Sequence, residues 1–249
     1  MRFLKANLLT GLNCIAGIAS VAGILLFIFS DKTNAIIALT ALFVFLAIIL
    51  AIILIAIVQF LKKEHNSDCI KSCVFTTFET LDSTRCVFET YRVIQNKRLI
   101  LNNVDQNFKW SGSKMPIISS ECQSVKSIIS NDSNHYDKAI LQFKRPLLYN
   151  EIGLTHFKAE LDDHDNKAKP HLDFRVDSVI PVVHYRVILR HKPETFNKSA
   201  KFLRKPIDSK TPLEYIEIGS IPFDAITKSY TYNLIDPEPG YYYRILWEK

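Results

Sequence analysis

Six residues of this sequence combine charge, hydrogen-bonding forks and ring faces at strand spacing: Arg175, His184, Arg186, Arg190, Tyr242 and Arg244. Each falls on the polar side of a stretch in which every second residue is apolar. Guanidinium forks suit phosphate oxygens, and an aromatic ring offers a base a stacking surface. If their strands are neighbours, the six would form a ligand site for an anion carrying a planar ring. The same residues could instead make ordinary cross-strand pairs with Asp173, Asp177 or Glu217.

Other chemistry has weaker support. Cys69 and Cys73, with His65 before them, are too widely spaced and too few for a structural zinc site, so no metal is expected. A juxtamembrane cysteine could also accept a lipid. Asp162, Asp163, His164 and Asp165 read as a solvated hairpin loop. Neither Gly-x-Ser-x-Gly nor His-Glu-x-x-His occurs. Residues 64–249 contain four glycines, Gly112, Gly153, Gly219 and Gly240, and no phosphate-cradling loop. The expectation is a non-enzyme without a cofactor.

The elements that must position the six residues are strands. Thr155, Phe157, Ala159 and Leu161 alternate with polar residues. So do Leu172, Phe174 and Val176, then Val183, Tyr185, Val187 and Leu189, and finally Tyr241, Tyr243, Ile245 and Trp247. This period of two marks half-buried strands and makes Trp247 a core residue. Further strands are expected near 73–80, 85–94, 123–130, 137–144, 213–218 and 229–235. Turn signals separate them, among them Asn102-Asn103, Asn131-Asp132 and Asp236 to Gly240. Residues 73–249 should therefore form an all-β domain, a sandwich or a barrel.

The first quarter is different. Ala6–Ser30 and Ala35–Leu61 carry no charge, and each is long enough to cross a hydrocarbon core of about 30 Å. They predict a two-helix transmembrane hairpin over 1–63, with spans at about 7–30 and 35–61. Residues 64–72 would be a juxtamembrane linker. Arg2 and Lys5 precede the first run, and Lys62 and Lys63 follow the second. That charge bias predicts a multi-pass protein with both termini cytoplasmic. Unpaired cysteines suit that compartment. In the first run Asn13, Gly17, Ser20 and Gly23 share a helical face. Such a face serves either packing within the hairpin or self-association into a homo-oligomer.

Net charge adds an exclusion. The total is +6 and the pI is near 9.0, which taken whole suggests a nucleic-acid binder. Residues 1–63 hold +4 of that charge, so the larger part is nearly balanced and no long nucleic acid is expected as a partner.

Two spans followed by a β-rich domain resembles the two-transmembrane-plus-β (2TMβ) effectors of bacterial antiphage defence. Retron-associated two-span effectors share the layout. Three stretches, Phe108–Gly112, Phe143–Leu147 and Pro237–Trp247, are similar to a β-sandwich module of such bacterial membrane proteins. The resemblance implies an inner-membrane effector. Its cytosolic domain would sense a cyclic oligonucleotide or a protein trigger, and its spans would assemble to disrupt the lipid bilayer. It transfers no binding residue. The competing expectation is a membrane-tethered binding or scaffold module without pore activity.

Overall fold

The structure is a computed structural model that describes residues 17, 23, 32–64, 67–82, 84–110, 114–130, 136–165, 167–207 and 215–248. The chain divides into two compact units, Met1–Lys63 and Glu64–Lys249.

In the first unit, helix α1 covers Lys32–Glu64. Its interior holds no glycine or proline, and Leu, Ile and Ala propagate a helix well. Leu39–Leu61 is long and apolar enough to cross a membrane, and none of it is buried within the chain. At 1.5 Å per residue those 23 residues extend about 34 Å, matching a hydrocarbon core. The hydroxyl of Thr40 donates to the carbonyl of Ile36 at 2.8 Å, so it brings no unpaired donor into the apolar run.

Here the sequence reading needs correction. Among the described residues there is one candidate span, not two, so the transmembrane hairpin is replaced by a single helix. A multi-pass topology with both termini on one side falls with it. Of the first apolar run, Ala6–Ser30, only Gly17 and Gly23 are among the described residues. Gly17 and Gly23 are each helical and exposed. Asn13 and Ser20 lie outside the described residues.

The second unit is all β, as expected. Its strands in order are β1 (Cys69–Thr80), β2 (Arg85–Asn96), β3 (Ile100–Phe108), β4 (Ile117–Ser119), β5 (Gln123–Ile129), β6 (Asp137–Leu148) and β7 (Ile152–Asp162). They continue with β8 (His171–Val176), β9 (Val182–Leu189), β10 (Ala200–Pro206), β11 (Ile216–Ile221), β12 (Ser229–Ile235) and β13 (Tyr241–Leu246). Sheet 1 has the order β12-β9-β1-β2-β7-β4, sheet 2 the order β11-β10-β13-β8, and sheet 3 the order β3-β6-β5. All pairings are antiparallel except β1 with β9.

Both smaller sheets cover the same face of sheet 1. Register places Phe78, Phe88 and Ala159 in one row across β1, β2 and β7, and Thr76, Thr90 and Phe157 in the next. From that face Phe78 meets Trp247 beside sheet 2, with ring centroids 5.4 Å apart, and Phe157 meets Phe108 of sheet 3 at 5.5 Å. One core joins all three sheets, so the architecture is a sandwich. The expected inward series of β7, β8, β9 and β13 all point into it, and Trp247 is buried.

Three strands escaped the period-two reading. In β3 a register shift between Leu101 and Asn103 breaks the alternation, and the buried inward residues include Gln106. A shift between Phe202 and Leu203 in β10 buries two consecutive residues. Strand β4 has only three residues. Strand β1 also opens at Cys69, inside the stretch expected to be a linker.

Candidate functional site

The sandwich sorts the six sequence-predicted residues onto opposite faces. In β9 the odd positions from Val183 to Leu189 are buried, so His184 and Arg186 project from the outer face of sheet 1. In β8 and β13, Phe174, Val176, Tyr243 and Ile245 are buried, so Arg175, Tyr242 and Arg244 project from the outer face of sheet 2. One converging six-residue site is therefore not formed, because a packed core separates the two groups.

On sheet 1 the cations stand apart. His184 Nδ1 lies 2.6 Å from Asn233 Oδ1, and its ring is 5.7 Å from Phe75. Arg186 sits between Thr77 and Thr231 in register. Its Nε is buried without a hydrogen-bond partner. Its charge helps to hold the Asp224 carboxyl below the usual range, behind the stronger contributions of Thr227 and the Ile226 amide. Arg190 is exposed and pairs with Glu79.

Sheet 2 interleaves cations and rings. The β8-β13-β10 register aligns Arg175, Tyr242 and Lys205 in one row and Asp173, Arg244 and Leu203 in the next. Rows two residues apart are about 7 Å from each other. Arg175 lies over the Tyr242 ring, 5.8 Å from its centroid, and Lys205 Nζ approaches the same ring at 5.6 Å. Lys205 is also 4.9 Å from the Tyr215 ring, which covers the Arg244 guanidinium at 3.9 Å. The Tyr136 and Tyr242 hydroxyls share a hydrogen bond. Cation–π contacts of this kind hold rings and charges in a fixed pattern.

The arginine forks are already occupied. Arg244 donates from Nε and Nη2 to both carboxylate oxygens of Asp173, at 2.6 and 2.7 Å. The Tyr215 hydroxyl donates to Asp173 at 3.3 Å. Arg175 Nε donates to Asp177 at 2.5 Å. The pairing with Asp173 and Asp177 that the sequence allowed is thus present. Burial opposes the charge on both arginines, yet their carboxylate partners hold the pKa above the ordinary arginine value. Lys205, by contrast, has no carboxylate partner among the described residues.

Burial raises the Tyr136 and Tyr215 phenols well above their usual pKa, reinforced by Tyr242 at Tyr136 and by Asp173 at Tyr215, so both stay neutral donors. At the next row His171 lies 3.8 Å from Asp173. Burial pushes its pKa down, and the Asp173 charge offsets only part of that effect. The arrangement can therefore offer an anion one ammonium and a half-exposed guanidinium, beside ring faces that accept a planar group.

Sequence reasoning missed Lys205, Tyr215 and Tyr136. The signal for Lys205 was the alternation of Lys201, Leu203 and Lys205, obscured where the β10 register shifts. Tyr136 precedes its strand, and Tyr215, inside the strand expected near 213–218, stands just before the observed one at Ile216, so neither belonged to an alternating polar series.

The remaining candidates have local roles. Asp162 bonds Lys114 at 2.7 Å and His164, Asp163 accepts the Ala168 amide at 2.7 Å, and Asp165 pairs with Lys167 at 3.2 Å. Among the described residues, Cys69, Cys73, Cys86 and Cys122 form no disulfide.

The sequence matches no family model and none of the curated proteins. Among solved structures the chain is similar to an M1 zinc metallopeptidase from Deinococcus radiodurans, with a TM-score of 0.39 and 9% identity over 72% of this chain. It spans 42% of that peptidase. It is also similar to baculovirus P35, with a TM-score of 0.34 and 11% identity, covering 74% of this chain and 96% of that one.

Proposed function

We propose that the chain is a membrane-anchored β-sandwich sensor whose outer sheet 2 face binds a small anion bearing a planar ring, such as a cyclic oligonucleotide. The observation that carries this reading is the Arg175-Tyr242-Lys205 row, in which rings flank an ammonium that no described carboxylate neutralises. An ammonium is a strong point charge for phosphate oxygens, and the neighbouring rings give a base a stacking platform. Helix α1 supplies the anchor. Lys62 and Lys63 at its end favour the cytosolic side for the β unit.

With one described span in place of two, the anchored β-domain is what remains of the resemblance to antiphage effectors, and the output proposed from it is that a filled site clusters α1 helices of several copies and breaches the inner membrane. An apolar helix of which no residue in the spanning stretch is buried among the described residues supports association in lipid.

Calorimetry of the full chain in lipid nanodiscs against cyclic di- and trinucleotides tests the sensing half. Micromolar binding that weakens at least tenfold in Lys205→Ala is expected. Absence of heat at millimolar nucleotide would favour a protein trigger. Induced expression with membrane potential recorded tests the output, and growth with an intact potential in the presence of trigger would leave a tethered binding module.

A further inference from the structure

The β unit carries an apolar ledge at the end of the sandwich where β1 begins. Two turns build it, 96–100 between β2 and β3 and 148–152 between β6 and β7. Leu99, Ile100, Leu148, Tyr149 and Ile152 project from these turns, and Ile70 stands beside them in register with Gln95 and Ile152. Their exposure runs from 41% at Ile70 to 68% at Ile152. Large side chains concentrated on neighbouring turns mark an interaction surface, unlike single apolar residues scattered over a protein.

The ledge is rigid. Asn96 is fully buried, and its side-chain amide donates to the carbonyls of Arg98 and Leu147, both at 2.8 Å. The Tyr149 amide donates to Leu99 at 3.0 Å and the Asn150 amide to Asn96 at 2.8 Å. Lys97 Nζ bonds the Asn150 side chain at 2.8 Å. Beneath lies a small separate core of Ile94, Leu101 and Leu147. Gly153 faces Leu147 where a Cβ would clash. The turns thus hold apolar groups outward at no further ordering cost.

Chain length and charge indicate the occupant. Four residues, 65–68, join the end of α1 to Cys69, a reach of at most about 18 Å when fully extended. The acidic stretch Asp162–Asp165 sits at the opposite end, since Asp162 pairs in register with Arg85. Lys97, Arg98 and Arg145 flank the ledge, Arg98 paired with Asp68 and Arg145 with Glu151, and the Arg145 side chain stays 71% exposed. Apolar and tyrosine side chains with a long exposed arginine at their border, held within linker reach of an apolar helix, suit the interfacial layer of a membrane.

We infer that this ledge seats in the interfacial layer of the bilayer that α1 crosses, giving the β unit a second attachment to lipid. The inference rests on reading α1 as a membrane anchor. Its test uses the full chain in phosphatidylethanolamine–phosphatidylglycerol vesicles, with a protease site inserted after Asn66. After cleavage, the β unit should float with the vesicles and should rebind protein-free vesicles of the same lipids. Leu99→Glu with Ile152→Glu should cut the floated fraction at least fivefold. Ile226→Glu, at an even more exposed isoleucine (94%) near the other end, should leave it unchanged. Release of the wild-type β unit into solution on cleavage overturns the inference. Rebinding only to vesicles that contain intact chains assigns the ledge to a second copy and also overturns it. Failure of the uncleaved chain to float would instead overturn the anchor reading.

Discussion

The outer faces of sheets 1 and 2 carry similar cations and behave differently. Around β9, Arg186 lies between two threonines, His184 is engaged by Asn233, and Arg190 is held by Glu79 at the strand end. Around β13, each cation has a ring within cation–π range, and carboxylates fix the arginines in place. The difference lies in what the neighbouring strand puts opposite each residue. Threonines flank Arg186 and leave its buried Nε without a hydrogen-bond partner. A cation beside a tyrosine and a second cation becomes part of a surface with defined shape.

The most drastic way to break the comparison is to loosen the core that keeps the faces apart. Trp247 packs on Phe78 and joins sheet 2 to sheet 1. Trp247→Ala should cost about 3–5 kcal/mol. Thermal melts should still show one transition, because a single core unites the sheets; two transitions would mean that the faces belong to separately folding layers.

A sharper contrast comes from paired binding measurements. Tyr242→Ala should weaken cyclic nucleotide binding about tenfold or more, the scale of one lost stacking contact. Arg186→Ala should leave it unchanged within about twofold. Equal losses in both variants would put the ligand on neither face alone.

Stability should separate the faces more modestly. Asp173→Asn breaks a two-pronged, partly buried pair and should cost about 1 kcal/mol in denaturant titration. Glu79→Gln frees an arginine that is mostly in solvent and should cost at most about 0.5 kcal/mol. The reverse order would make β9 the more organised face.

The smallest effect concerns pH. Burial lowers the folded-state pKa of His171, so protons bind more readily to the unfolded chain. Stability from this group is complete above the unfolded histidine value of about 6.5 and declines as pH falls toward the lowered folded value. His171→Gln should therefore flatten the fall in melting temperature between about pH 6.5 and 5. An unaltered slope would remove His171 from the sheet 2 network.

Strand periodicity by itself determined much of the β unit. Alternation placed the inner residues of β7, β8, β9 and β13 correctly, because a side chain flips face at every residue whatever the sheet order. Composition likewise marked Ala35–Leu61 as a span, because length and apolarity are local properties. The same local logic read the first run as a second span, but among the described residues only one helix is long and apolar enough to cross. Tertiary structure alone decided which strands are neighbours. It divided Arg175, Tyr242 and Arg244 from His184, Arg186 and Arg190, and it brought Lys205 and Tyr215 to the first group. The cause is that pairing between strands distant in sequence is set by how whole sheets share one core. No spacing within a single strand records which strand will lie beside it.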